Sequence, residues 1–367
     1  MDASVLFSGQ DKNNTLLQSK LLHQLEPLKD ARWDDFLKRH ARSSVFHTVE
    51  WLEALRRTYG YEPLAITTCL PGADLQNAAL FCRVESWMTG RRLVSVPFSD
   101  HCDLLVDAPA DLAAIVRALE PRQQTVRYVE IRPRHSLEGA SVGSHSTFSY
   151  CLHQLDLRPD LDTLFNDCHK DSTQRKIRRA AREGLICEEG RSESLLDSFY
   201  GLMLLTRRRH RIPPQPRRWF QNLIDCFGEA LKIRVAVKDK MPIAGMLTLR
   251  YKDTLVYKYG CSDATFHHLG GTHFLFWRSI QEAKQDRLCT FDLGRSDWDD
   301  EGLITFKDRW GAQRSTLTYM RFSSSLSKRG RMSPGTDWKA RAARTVLGHM
   351  PDRILRSAGE LIYKHIG

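Results

Sequence analysis

One order of helical and strand-like segments occurs twice along this chain. The first pass opens with a short helical stretch at 31–39 and a second at 49–58, VEWLEALRRT, where Thr48 is suited to cap the start and Gly60 to stop the end. Three strand-like runs follow, EPLAITTCL (62–70), NAALFCRVES (77–86) and RLVSVPF (92–98), separated by turn residues at 71–74 and 89–90. A helix at 110–119, a strand at 126–133, a polar loop at 134–147 and a strand at 150–157 complete it. The second pass begins with a helix at 172–182 ended by Gly184. A longer helix at 193–209 carries Leu195, Leu196, Phe199, Tyr200, Met203 and Leu204 on one face, and Pro213 and Pro214 forbid its continuation. A helix at 217–227 leads into a meander of strands at 231–237, 243–251 and 254–260. A helix at 271–285, a strand at 289–294, a short helix near 302–309 and a strand at 315–322 close it. The late strands also match in wording, RYVEIRPR (127–134) against TFDLGRSD (290–297). Internal duplication of an α/β unit is the economical explanation.

The length of 367 residues suits two such domains, each able to bury a core. A formal net charge of +11, from 55 Lys+Arg against 44 Asp+Glu, favours anionic partners such as nucleic acid, nucleotide phosphates or an acidic membrane face. Nine cysteines are scattered without a CxxC pair, mostly inside apolar runs, which reads as reduced thiols in a cytoplasmic protein. Cys168 and His169 are adjacent, and helical neighbours point to different faces, so they make a poor nucleophile and base. No signal peptide or run of about 20 apolar residues is visible, so action on the envelope is expected from the inside. Residues 327–336 read as a linker. Residues 337–366 read as an amphipathic helix interrupted near Pro351, with Arg341, Arg344, Arg353, Arg356 and Lys364 on its basic side. Its two uses are packing on the body and a foot on the anionic inner membrane face.

Three segments carry chemistry. The helix HKDSTQRKIRRAAREG places Arg175, Arg178 and Arg182 on one face, and TRRRHRIPPQPRR adds Arg207, Arg208, Arg209, Arg211, Arg217 and Arg218 without any acid. Guanidinium forks at that density suit phosphate or pyrophosphate, against the alternative of a solvated face. The segment FDLGRSDWDDEGLITFKDRWG (291–311) runs a buried strand into Asp292, breaks at Gly294, and continues through Arg295, Asp297, Asp299 and Asp300 to Phe306 and Lys307. Charged groups at a strand's end are where α/β enzymes place their chemistry. The segment YKYGCSDATFHHLGGT (257–272) ends in Gly270 and Gly271 before a helix, a place where free backbone N–H groups can bind an anion. There is no GxxxxGK[ST] loop, no HExxH and no GxSxG elbow, and no ligand set at metal spacing.

The combination of SVFHTVEWLEAL with Trp51, the helix RKIRRAAREGL, the TRRRHRIP segment, the meander and FDLGRS…GLITFKDRWG resembles the FemAB-like proteins, tandem GNAT-type N-acyltransferases. It looks most similar to the subgroup found beside exopolysaccharide and exosortase loci, over roughly residues 30–325. The resemblance implies two tandem GNAT-like α/β domains, each a mixed sheet flanked by helices, at 21–158 and 159–325, followed by a linker and basic amphipathic helix at 326–367. It also implies acyl or aminoacyl transfer to an amine in building an exopolysaccharide or peptidoglycan precursor, with no permanently bound cofactor and no metal. The donor is then acyl-CoA, another acyl thioester or aminoacyl-tRNA, and the acceptor an amine-bearing saccharide or muropeptide. Lys307 of the FK pair is the expected oxyanion-stabilising cation. Asp292 and Asp297 are the candidate bases. Arg175, Arg178, Arg209, Arg295, Phe306 and Tyr259 are candidate substrate contacts, and Gly270 and Gly271 candidate donor-phosphate contacts. The long helical arm of some cross-bridge enzymes is absent, and HHLGGTH is a degenerate form of the acetyl-CoA loop, so the donor stays open. Two other readings are a non-catalytic relative that scaffolds a lipid-linked saccharide and an RNA-binding module, the latter lacking the aromatic pattern of common RNA readers.

Overall fold

A computed structural model describes residues 21–122, 125–135, 145–323 and 352–366. Strands β1 (His23–Leu25), β2 (Glu62–Thr67), β3 (Ala79–Val84), β4 (Arg92–Val94), β5 (Tyr128–Ile131) and β6 (His145–Asp156) come from the first pass of the repeat. Strands β7 (Ile186–Gly190), β8 (Leu231–Lys238), β9 (Met241–Tyr251), β10 (Thr254–Ser262), β11 (Thr290–Ser296) and β12 (Gln313–Phe322) come from the second. All twelve join one sheet, in the order β1-β2-β3-β4-β5-β12-β6-β11-β10-β9-β8-β7. That order is symmetric about its centre: each position on one side is matched by the equivalent strand of the other pass. Only the pairs β4–β5 and β10–β11 are parallel, and each is joined by a crossover helix, α3 (Pro109–Arg122) and α8 (Gly271–Gln285).

The centre of the sheet is an exchange. β6 follows β5 in sequence, yet it pairs with β11 of the second pass. β12 follows β11, yet it pairs with β5 of the first. The two exchanged strands then pair with each other, antiparallel, from Gln313–Gln154 to Phe322–His145. The duplication read from sequence is therefore present, and the two sheets are continuous.

Three cores flank this sheet. On one face α1 (Trp33–Arg39) and α2 (Val49–Tyr59) of the first half meet α6 (Glu193–Arg209) and α7 (Arg217–Phe227) of the second in a single apolar cluster. Trp51 sits edge-on to Trp219 at 5.3 Å, and both are fully buried. Trp51 is thus core, as its aromatic neighbourhood requires. On the opposite face, α3 covers the first half, while α4 (Leu161–Asp167), α5 (Arg175–Arg182) and α8 cover the second. α2 begins and ends as read: Thr48 Oγ1 accepts from Trp51 N, and Gly60, at φ +72°, turns the chain out while donating to Arg56 O. Helix α9 (Glu301–Asp308) starts on its N-cap Asp300, whose side chain accepts from Leu303 N.

Differences from the sequence reading have local causes. β1 has three residues and β7, ICEEG, is polar and partly exposed; neither shows apolar alternation, and each is formed only by pairing at a sheet edge with β2 or β8. α4 was not read because it buries only Leu164. The helix at 172–182 opens with a π-turn at Lys170–Gln174 before α5. The linker 327–336 and the helix portion 337–351 lie outside the described residues. Helix α10 (Asp352–Ile366) packs across both halves: Tyr61 Oη and Arg92 Nη2 of the first donate to Tyr363 O and His365 O, and Tyr363 Oη donates to Pro213 O of the second. Among the described residues, no helix is long and apolar enough to cross a membrane.

Because the Trp51–Trp219 contact belongs to a core that both halves share, Trp219→Ala is expected to cost about 3–5 kcal/mol. In urea melts followed by far-UV circular dichroism, the whole chain should shift as one transition rather than the second half alone.

Candidate functional site

Lys307 is a lysine buried beside the end of a strand, where a charge is costly. It lies in the last turn of α9 with 2% of its surface exposed. Its ammonium donates to Gly294 O at 2.7 Å and Arg295 O at 3.1 Å, at the end of β11. Burial pushes its pKa down to about 8, with Asp100 and Asp292 opposing the fall. Two of its three N–H groups are thereby held on backbone carbonyls, leaving one for a ligand.

Gly294 makes this possible. It sits at φ +72° where the β11–β6 register breaks, and a Cβ there would come 3.2 Å from Asp100 Oδ2. Its N–H donates to Asp292 Oδ1 at 2.8 Å, while Asp292 Oδ2 accepts from His101 Nε2 at 3.0 Å. Asp292 is buried, which by itself would raise its pKa, but the His101 hydrogen bond and the Gly294 N–H leave it lowered and the carboxylate ionised. Each oxygen thus accepts one hydrogen bond, and Asp292 orients His101. Asp297 is exposed in the following loop, with its carbonyl accepting from Asp300 N.

The first half supplies the facing wall. The segment Ser95–Asp103 is held to β5 by Ser95 N to Glu130 O and Cys102 N to Arg132 O, and it carries Val96 and Phe98 at φ +52° and +60°. A β-branched residue in that region is costly and persists only where its surroundings impose it. Here the Phe98 ring packs on Tyr59, Trp219 and Tyr363, and the Arg132 guanidinium holds Val96 O at 3.1 Å. The segment thereby delivers Asp100 and His101 to the second half. Asp100 accepts from Lys258 Nζ at 3.0 Å, and Tyr319 Oη donates to its backbone carbonyl. Arg295 stacks over Tyr150 at 4.1 Å and Tyr319 at 5.3 Å, one ring from each exchanged strand.

The equivalent place in the first half is closed. Glu130 stands opposite Val94 as Asp292 stands opposite Val256. Arg132 and Arg321 both bind the Glu130 carboxylate, where His101 and the Gly294 N–H hold Asp292 in the second half.

A second set of cations gathers around the start of α8. Burial pushes His273 down to about 3, with Lys176, Arg309 and His267 adding to the effect. Burial also lowers His267, helped by Arg209 and Lys176. Arg209 Nη1 donates to Ser262 O at 3.3 Å. Gly270, at φ +81°, lets α5 approach closely: a Cβ there would lie 2.6 Å from Lys176 O. This glycine therefore has a packing role, whatever it binds. Of the arginines singled out in sequence, Arg175 and Arg178 are exposed on α5, and Arg178 stacks over Phe165 at 5.1 Å. Phe306 is packed against His273 and Phe276 beside Lys307. Tyr259 is buried, its Oη accepting from Trp219 Nε1 at 2.8 Å, which makes it a wall of the shared core.

Lys307, Asp292, Arg295 and Phe306 are thus brought together; Arg209, Gly270 and Gly271 form a neighbouring group; Asp297, Arg175 and Arg178 lie on the surface. Asp100, His101 and Lys258 were not found from sequence. The run SDHCD at the end of a strand carried the same signal as FDLGRSD, but it lies in the other half of the chain.

Residues 169–307 match the acetyltransferase (GNAT) domain family. Over 175 residues the chain is 29% identical to the UDP-N-acetylmuramoylpentapeptide-lysine N(6)-alanyltransferase of Weissella viridescens, covering 46% of this chain and 51% of that enzyme. The chain thus matches about half the length of that curated relative. Its fold is that of FemX, with a TM-score of 0.63 at 14% identity over 81% of this chain and 96% of that one. It is also that of a tandem GNAT protein from the clavulanic acid biosynthesis pathway, with a TM-score of 0.51 at 12% identity over 84% and 100%. Residues 169–307 are thus similar to a GNAT domain, and the chain as a whole has the fold of tandem GNAT proteins. The alanyltransferase similarity and the FemX-like fold both agree with the FemAB-like resemblance read from the sequence.

A pKa depressed from 10.5 to about 8 in the folded state means that the unfolded chain binds more protons between those values, so stability should rise with pH across that window. Lys307→Met removes a buried charge. It should stabilise the protein near pH 7 by up to about 3 kcal/mol, and the difference from wild type should shrink as pH rises from 8 towards 10.5. Urea melts at a series of pH values check both.

Proposed function

We propose that this protein is an acyl- or aminoacyltransferase that forms an amide on an amine-bearing envelope precursor, a muropeptide or an exopolysaccharide amino sugar. The observation that carries the reading is the buried Lys307 ammonium, fixed on two carbonyls within a GNAT-type domain and left with one N–H to give. The neutral amine attacks the donor carbonyl. Lys307 then faces the oxyanion of the tetrahedral intermediate as a preorganised point charge in a site with little water. Collapse breaks the bond to the donor's leaving oxygen or sulfur; the attacking nitrogen gives up its extra proton, the leaving atom takes one up, and the amide remains. A pKa near 8 suits a group that also shares its proton with the leaving atom.

The cations around the start of α8, Lys176, Arg209 and Arg309, support an anionic donor, acyl-CoA or aminoacyl-tRNA, with Gly270 and Gly271 beside its phosphates. Similarity to an enzyme whose name specifies a UDP-linked muramoylpentapeptide acceptor favours a peptidoglycan precursor over other amines. In this reading Asp292 works by orienting His101, Asp297 meets the acceptor at the mouth, and Arg175, Arg178 and Arg295 are substrate contacts. Action is at the cytoplasmic side, where α10 and the basic stretch before it can touch an anionic membrane face.

The purified protein should be offered radiolabelled acetyl-CoA, longer acyl-CoA donors and a charged tRNA pool, with UDP-linked muropeptide and amino-sugar acceptors. One donor class should be used selectively, and Lys307→Ala should lose about 10²–10³-fold in turnover with an unchanged circular dichroism spectrum. No transfer from any donor by folded protein would overturn the reading.

A further inference from the structure

Regular pleating sends successive residues of a strand to opposite faces. β10 obeys this at Leu255, Val256 and Tyr257: Leu255 and Tyr257 face the α8 side, Val256 the shared core. The β10–β9 register then shifts between Tyr257 and Tyr259. As a result Lys258 and Tyr259, neighbours in sequence, both face the shared core. Gly260 accommodates the shift, since a Cβ there would lie 1.8 Å from the Tyr257 hydroxyl.

A lysine pointing into an aromatic core is expensive unless it is paired. The Lys258 side chain is 6% exposed. Its ammonium lies 5.1 Å from the Phe46 ring, 5.6 Å from Trp51 and 5.8 Å from Tyr259, and its anionic partner is Asp100 at 3.0 Å. The rings supply cation–π attraction and fix where the ammonium sits. Asp100 comes from the other half of the chain, and its carboxylate also faces the fields of Lys307 and Arg295.

We propose that Lys258 is a positioning residue: it holds the Asp100 carboxylate against the core side of the cleft, so that Asp100 does not close onto Lys307 and the Lys307 ammonium keeps an N–H free for the oxyanion. The inference rests on the acyl-transfer reading for its functional meaning, but the coupling between Lys258, Asp100 and Lys307 is measurable without turnover.

The groups facing Lys307 are Asp100 from the first half, Asp292 on β11, Cys151 and His153 on β6, and Asp300 at the start of its own helix. Only the first changes partner when Lys258 is replaced. The experiment is the titration of Lys307 in the full-length chain carrying lysines labelled with ¹³C at Cε, its signal assigned by its loss in Lys307→Met. In Lys258→Met, Asp100 is released towards Lys307, and the Lys307 midpoint should rise by about one unit, a tenfold change in proton affinity. In Asp100→Asn the anion is gone, and the midpoint should fall. Lys258→Arg should restore a value near wild type. A merely structural role for Lys258 would not move the midpoint in opposite directions in the two variants. Unchanged midpoints in folded Lys258→Met and Asp100→Asn overturn the inference. Should Lys258→Met not fold, an Asp100→Asn midpoint that does not fall overturns it alone. If the midpoints move as stated but Lys307→Ala keeps full turnover, the acyl-transfer reading falls and the coupling stands.

Discussion

The pairing of β6 with β12 holds the rest of the molecule in place. It is the longest ladder at the sheet's centre, and each strand comes from the half opposite to the one it extends. Without it there would be two smaller sheets with open edges, and exposed edges invite pairing with other chains. With it, β5 and β11 lie two strands apart, and the chain segments that leave their neighbours converge on one place. Tyr150 and Tyr319, one from each exchanged strand, stand there with Arg295 stacked on them.

The convergence has an electrostatic consequence. Lys307, Lys258, Arg295, Asp292, Asp100 and His101 occupy a small, mostly dry volume where any unpaired charge is costly. They are tolerated because each carboxylate is shared across the junction: Asp292 of the second half with His101 of the first, Asp100 of the first with Lys258 of the second. Neither half can satisfy its own charges. The same architecture explains why the halves differ chemically. In the first half Arg132 and Arg321 bind Glu130, the counterpart of Asp292, and the sequence between β5 and β6 holds no lysine. Duplication supplied two similar clefts, and only one kept a cation with hydrogen-bonding capacity to spare.

Much of the fold was legible in residues. Long helices and the meander strands follow from apolar periodicity, from Thr48, Gly60 and the prolines at 213 and 214, and from the turn residues between strands. The likeness of RYVEIRPR to TFDLGRSD is now a structural equivalence of Glu130 and Asp292. In the site, the FK pair and the broken strand before it led to Lys307, Asp292, Arg295 and Phe306, which do meet. Asp297 and the α5 arginines did not join them, because a loop or a helix face in sequence carries no information about which way it is turned in space. Tyr259 looked functional beside charged motifs and is a wall of the shared aromatic core, of which Trp51 is also a part.

The sequence by itself determined the elements and their repetition, since periodicity, caps and turn chemistry are local properties of a few neighbouring side chains. It also determined that Lys307 would end a short helix after a strand break. Tertiary structure alone decided that the last strand of each half pairs in the other, because ladder partners are chosen by which edges are open after both halves form. It decided that Asp100 and His101 belong to the second half's site, nearly two hundred residues away in sequence from Asp292. And it decided that Tyr259 lies on the same side as its neighbour Lys258, since a one-residue bulge inverts the side a residue takes without leaving any mark on composition or period.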